Sequence, residues 1–398
     1  MNRKEPVWIM ILRILLAGVF LFSGFTKAID PVGSAIQFDE YFTSFGMGFL
    51  HPISMFCAFA MNILEFTMGF MMLFRIKIKL TSLGYLLFMS FFFLLTAWLA
   101  IAEHLEVNYD YDFGVVKDCG CFGAAIKMNN LETFLKNVVI IIPTIIIFVK
   151  RKTIPAIRLT ELGQWCFACV GGFIVLFLQI YCYRHLPIID FSEWKKETDL
   201  VIQYIEQPGE KEMIFIYQSK RDSSVINLTV EDMETVADSN PNFYDEYEYV
   251  DRIDSLVKAP VKPKLPGFNM LDANGKDHAN LLINRDNLTP LFLLVMPNVD
   301  DANGKAFADP NLQEIIKRSE ENNLYFVGIT NSTQEEVAAF TAKHNLSFPI
   351  YSNPIDPVKG PFMVRDAIRS NPGLFLIERG FIKDKWAWRD IPPYMITN

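Results

Sequence analysis

Five apolar runs in the first 186 residues decide what this chain can become. Roughly 7–27, 52–74, 80–102, 133–149 and 163–184 are each about 17–25 residues long, the length at which a helix satisfies its own backbone across a hydrocarbon layer. No comparable run follows. Residues 187–398 are rich in Asp, Asn, Lys and Pro and read as soluble. The first run contains Arg13 and lacks a small-residue cleavage pattern, so it is expected to remain as a span rather than be removed as a signal. A net charge of −8 without a basic stripe argues against nucleic acid as a partner. The lipid bilayer is the partner this pattern demands.

Lys and Arg in the short loops set the expected orientation. Arg3 and Lys4 precede the first span, Arg75, Lys77 and Lys79 separate the second from the third, and Lys150, Arg151, Lys152 and Arg158 separate the fourth from the fifth. The other two loops are poor in both residues. The N-terminus is therefore expected in the cytoplasm, and five spans carry residues 187–398 to the outer, periplasmic side of a bacterial cytoplasmic membrane.

The loop after the third run then faces a compartment that permits disulfides. It reads Asp118-Cys119-Gly120-Cys121-Phe122-Gly123 and holds two of the six cysteines, none of which lies beyond Cys182. A disulfide between thiols one residue apart closes a small ring far from relaxed geometry, so it is expected to exchange readily. Cys119 and Cys121 are the candidate catalytic pair. Acidic neighbours raise a thiol pKa, and only Lys117 and His104 offer local positive charge.

Other features carry weaker chemistry. Arg13 and Glu65 fall at comparable depths on antiparallel neighbours and are expected to pair, because an unpaired charge in a span is costly. Pro31 is expected to stop the first helix, and Pro143 to kink the fourth span. Trp165-Cys166-Phe167-Ala168-Cys169 opens the fifth span, where Cys166 and Cys169 are either an accessory thiol pair or small apolar helix residues. Cys57 and Cys182 lie near outer span ends, within range of each other or of the CGC pair. His51, His104 and His185 share that depth, but no zinc-type ligand spacing accompanies them and no metal is expected.

The pattern RxxxxGxFxxSGxxKxxDP is carried by Arg13, Gly18, Phe20, Ser23, Gly24, Lys27, Asp30 and Pro31. It is followed by ExxxG at Glu65 and Gly69, then CGCFG at Cys119, Cys121, Phe122 and Gly123. This arrangement resembles the MauE/DoxX group of four-helix bacterial membrane proteins over roughly residues 8–150. The resemblance implies a four-helix domain at 1–150, with 151–186 as an added fifth span, and a redox role in the envelope. The MauE branch is associated with disulfide formation or maturation of an outer-side partner. The DoxX branch is linked to thiosulfate:quinone oxidoreduction, which makes a quinone the cofactor the resemblance suggests.

Residues 187–262 read as a polar connector with weak strands. At 263–398 the pattern changes to a hairpin at 265–276 with an Asn-Gly turn, a strand at Leu291–Met296, a helix at 311–322 and a strand at 324–329. A helix capped by Ser332 with Glu335, and strands at 374–377 and 381–386, complete it. This order resembles the thioredoxin-like fold of the peroxiredoxin/TlpA kind, with Pro372 at the position of its cis-proline. Where that fold carries CxxC, the chain reads Pro297-Asn298-Val299-Asp300-Asp301-Ala302, so this domain can bind but cannot exchange disulfides. The expected fold class is an α-helical membrane bundle, a four-helix core plus a fifth span, followed by an α/β thioredoxin-like soluble domain. Two functions fit. One is a thiol–disulfide redox component acting on an outer-side protein client. The other is a non-catalytic envelope assembly or scaffold protein.

Overall fold

Each apolar run forms one helix. The computed structural model describes residues 5–109, 111, 113–116, 118–205, 208–261, 263, 268–353 and 364–394. Five helices in it are long and apolar enough to cross a membrane. They are α1 (Val7–Ala28), α3 (Ser54–Leu73), α4 (Ile78–Tyr109), α5 (Asn130–Lys150) and α6 (Glu161–Arg184). Pro143 is accommodated inside α5, which runs through it. The cationic α3–α4 and α5–α6 connections lie at one end of the bundle. The α4–α5 loop and the C-terminal region lie at the other. Arg3 and Lys4, expected to complete the cationic end, lie outside the described residues.

Between α1 and α3 stands a helix that the hydrophobic pattern did not reveal, α2 (Pro31–Ser44). Pro31 was expected only to stop the first helix. It also starts the second, because a missing N–H costs nothing at the first helical position. Asp30 caps α2, its Oδ1 accepting from Gly33 N–H at 2.8 Å.

Two glycines set the register of α1 against α3. A Cβ on Gly24 would lie 2.7 Å from Phe66 N, and one on Gly69 would lie 2.8 Å from Leu21 N. Close backbone approach at both points is how membrane helices pack without a hydrophobic driving force between them. This register corrects the expected Arg13–Glu65 pair. With Gly24 level with Phe66, Glu65 stands about twelve residues from Arg13 along α1, roughly 18 Å at 1.5 Å per residue. Arg13 instead binds Glu5 at 2.8 Å and donates to the carbonyls of Met72 and Leu73 at 2.9 and 2.7 Å. Glu65 binds Lys27 at 2.5 Å. The expectation measured depth from the ends of the apolar runs, whereas the small residues decide the stagger.

The C-terminal region holds two sheets. The stretch read as a polar connector with weak strands carries a three-stranded antiparallel sheet of β1 (Glu210–Ser219), β2 (Val225–Thr229) and β3 (Tyr247–Lys258), ordered β2-β1-β3. The second sheet has β4 (Leu291–Met296), β5 (Tyr325–Thr330), β6 (Ile350–Ser352), β7 (Gly373–Glu378) and β8 (Phe381–Ala387) in the order β6-β5-β4-β7-β8. The first three strands run parallel, and β7 and β8 pair antiparallel. All six residues of β4 are buried, as a strand covered on both faces requires. Leu291, Leu293 and Val295 join Trp194, Phe268 and Phe375 on one face, and Phe292, Leu294 and Met296 join Phe307, Leu312 and Phe340 on the other.

Three local expectations shift. Strand β6 was unforeseen because its three residues are too few to show a period. Thr333 caps the helix Gln334–His344 in a capping box with Glu336, one residue later than expected. Ser332 is buried and accepts from Val299 N–H at 3.2 Å, so it is occupied elsewhere. The hairpin survives as a turn, Gly275 N–H donating to Asp272 O at 3.0 Å, with single bridges from Leu271 to Asp277 and Ser352. Leu265, Pro266 and Gly267 lie outside the described residues. The Asn371–Pro372 peptide is cis.

Candidate active site

The loop after α4 folds back over the ends of α1 and α2. Val116 is buried, and its carbonyl accepts from Asn130 Nδ2 at 2.9 Å, tying the loop to the start of α5. Asp118 Oδ1 accepts from Gly120 N–H at 2.9 Å, and Gly120 O accepts from Gly123 N–H at 3.0 Å, so two turns bracket the thiols. Gly120 has φ +65°, and a Cβ there would lie 2.7 Å from Gln37 Oε1; both facts require glycine. Helix α2 forms the adjacent wall. Gln37 Nε2 donates to Asp118 O at 2.8 Å, and Tyr41 OH to Cys119 O at 3.3 Å. From α1, Ser23 Oγ donates to Cys121 O at 2.5 Å. Phe122 packs on Phe22 and lies 4.6 Å beneath the Lys136 ammonium, a cation–π contact.

All six cysteines are free thiols, and the sulfurs of Cys119 and Cys121 stand 3.4 Å apart, sharing a hydrogen bond. Their surroundings differ. Cys119 lines a cavity of about 770 Å³ between the bundle and the C-terminal region. Cys121 lines a separate cavity of about 40 Å³ inside the bundle, with Ser23, Lys27, Glu65 and Lys136. The hydrogen bond from Cys119 and the charges of Lys136 and Lys27 outweigh burial and bring Cys121 down to about 6. The same hydrogen bond and burial hold Cys119 well above the usual thiol range. Cys121 is therefore the more acidic of the two thiols. Positive charge was expected from Lys117 and His104. Lys117 lies outside the described residues, and His104 is engaged with Asn108 at 3.1 Å. Lys136 replaces them, a residue that reads in the sequence only as one charge near the start of a span.

The large cavity has an aromatic wall that includes Phe38, Phe45, Phe91 and Phe92, and polar groups from both sides of the interface. Arg369 Nε donates to Asp30 Oδ1 at 2.9 Å, and Arg365 stands 3.6 Å from Asp39. Trp194 and Asp366 also face the space. Asn62, wholly buried on α3, lines it too and donates to Gln179 Oε1 at 3.1 Å, while its Oδ1 has no partner among the described residues.

Cys119, Cys121 and Glu65 are thus brought together, with Lys27 linking the carboxylate to the thiols. Arg13 lies at the opposite end of the bundle. Cys166 and Cys169 also lie there, exposed on the first turns of α6. Pro372 sits three residues beyond Arg369, and its carbonyl accepts from Ser370 Oγ at 2.6 Å. Cys182 is buried and Cys57 half-buried on α6 and α3. His51 and His185 bind Asp39 and Asp390, at 2.8 and 2.6 Å.

No curated protein and no solved structure matches the chain. The segment that builds α1 to α5 and carries the dithiol does have a match. Residues 5–150 fit the family described as Methylamine utilisation protein MauE, and with five membrane-capable helices the chain is a multi-pass membrane protein that is MauE-like over those residues.

Proposed function

We propose that this protein is a thiol–disulfide component of the bacterial envelope that oxidises an outer-side protein client through Cys119 and Cys121. The observation that carries the reading is the asymmetry of the two sulfurs, one facing a large cavity and one held over cations inside the bundle. In the disulfide form, a client thiolate attacks Cys119 Sγ, the S–S bond breaks, and its electron pair leaves on Cys121 as a thiolate. A low-pKa thiol leaves faster, so this direction of attack is favoured. A second client thiolate then attacks the client sulfur of the mixed disulfide and expels Cys119. The client loses two electrons and the CGC pair gains them.

The Lys/Arg-rich connections at the opposite end support a cytoplasmic N-terminus, with the dithiol and C-terminal region in the periplasm. The order β5-β4-β7-β8, with β4 and β5 parallel and β7 antiparallel to β4, supports a thioredoxin-like identity for residues 263–398. Without thiols, that domain presents the client rather than exchanging with it. The aromatic wall of Phe38, Phe45, Phe91 and Phe92, with Tyr41 and Lys27 as donors, suits a quinone ring, which when bound supplies a two-electron acceptor.

Trapping tests the reading. Cys121→Ser should accumulate a reducible higher-mass adduct on Cys119 in intact cells, whereas Cys119→Ser should not. Absence of any adduct, with normal function in a double serine variant, would favour the scaffold reading instead.

A further inference from the structure

Cys121 is not the only ionisable group in the small cavity. Lys27 Nζ lies 2.5 Å from Glu65 Oε2, with side-chain exposures of 12% and 7%. Both residues line the same space of about 40 Å³ as Cys121, and Lys27 also reaches the large cavity that Cys119 faces. The groups around Cys121 come from every packed element: Ser23 and Lys27 from α1, Tyr41 from α2, Glu65 from α3, Lys136 from α5, and Asp118 and Cys119 from its own loop. Tyr85 of α4 stands by Glu65 and packs on Phe20 at 4.1 Å.

Charge bookkeeping gives Lys27 two possible anions. With the cysteines joined as a disulfide, Lys27 and Glu65 neutralise each other and the sulfurs carry no charge. When the S–S bond opens, a full negative charge arrives on Cys121 in a space with low exposure, where interactions between charges are strong. We infer that Lys27 is shared between Glu65 and Cys121: Glu65 holds the ammonium beneath the site in the disulfide state, and the ammonium turns toward the thiolate when that bond breaks. Lys27 and Glu65 are then positioning residues of opposite sign for the leaving group. Lys27 stabilises the departing thiolate, and Glu65 competes for Lys27. This deepens the exchange reading and rests on it.

The two residues make opposite predictions, which a merely structural role does not. In full-length Cys119→Ser protein in native membranes, the alkylation rate of Cys121 by iodoacetamide is followed against pH. Lys27→Met should raise the midpoint by about one pH unit, about a twofold loss of rate near pH 7 and about a tenfold loss well below both midpoints. Glu65→Gln should lower it, and Lys27→Arg should keep the parent midpoint. If Lys27→Met does not accumulate folded, Lys27→Met combined with Glu65→Gln leaves no lone charge and should still lie above Glu65→Gln alone. Shifts in the same direction for Lys27→Met and Glu65→Gln, or an acidic parent midpoint that neither variant moves, overturn this inference alone. An ordinary thiol midpoint for Cys121 in the reduced protein that keeps both cysteines overturns the exchange reading together with it.

Discussion

At the dithiol, a spacing of one residue places the sulfurs 3.4 Å apart, and their neighbours then make them unequal. Lys136 and Lys27 lie on the Cys121 side, while Cys119 has the Tyr41 phenol and the open cavity. This gives a pH dependence with a definite sign. Cys121 is depressed to about 6, so it is thiolate at neutral pH and is protonated as the pH falls through that value. In the reduced protein at pH 7, iodoacetamide should label Cys121 well ahead of Cys119, and the rate of Cys121 labelling should fall as the pH drops below about 6. Peptide mass spectrometry after limited alkylation reads this directly, and equal labelling of the two cysteines at pH 7 would contradict it. The existence of the pair was plain in the sequence. Its polarity was not, because the cations that add to the hydrogen bond between the sulfurs lie 94 residues before Cys121 at Lys27 and 15 after it at Lys136.

Among the helices, glycine contacts matter more than hydrophobicity. All five spans were legible as runs, yet their stagger depends on Gly24 against Phe66 and Gly69 against Leu21. That stagger delivers Lys27, and not Arg13, to Glu65. Gly69→Leu should drive a side chain into the α1 backbone, and overpacking of this kind costs about 1–3 kcal/mol. The expected result is a lower Tm in detergent, together with loss of the selective labelling of Cys121, since the α1–α3 stagger also holds Lys27 in place. Unchanged thermal stability would mean that the register rests on other contacts. Helix α2 escaped the sequence reading for a different reason. It is too short and too polar to resemble a span, and Pro31 reads equally as the end of one helix or the start of the next.

Across the whole molecule, the cavity exists only where the bundle and the C-terminal region meet. Arg369 and Asp30 close that junction with side-chain exposures of 13% and 11%. Removing one partner of such a buried pair typically costs about 3–5 kcal/mol, because the other charge is left uncompensated. Arg369→Glu should therefore loosen the junction. Labelling of Cys119 by a bulky maleimide should rise, while labelling by a small reagent changes little. Asp30 is a poorer site for the test, since it also caps α2. If bulky and small reagents respond alike in Arg369→Glu, the C-terminal region does not guard the dithiol.

Local chemistry was readable from the chain alone: five spans from the length of their apolar runs, the CGC pair from its composition, and β4 from an unbroken apolar stretch. These depend on residues that are neighbours in sequence, and backbone hydrogen bonding enforces them wherever the segment packs. Tertiary structure decided which charges meet. It paired Glu65 with Lys27, brought Lys136 to Cys121, and set Arg369 on Asp30 across 339 residues of chain. A charge buried in a bundle must find a partner in space, and the stagger that supplies it is set by close contacts between small residues, which no run of hydrophobic residues encodes.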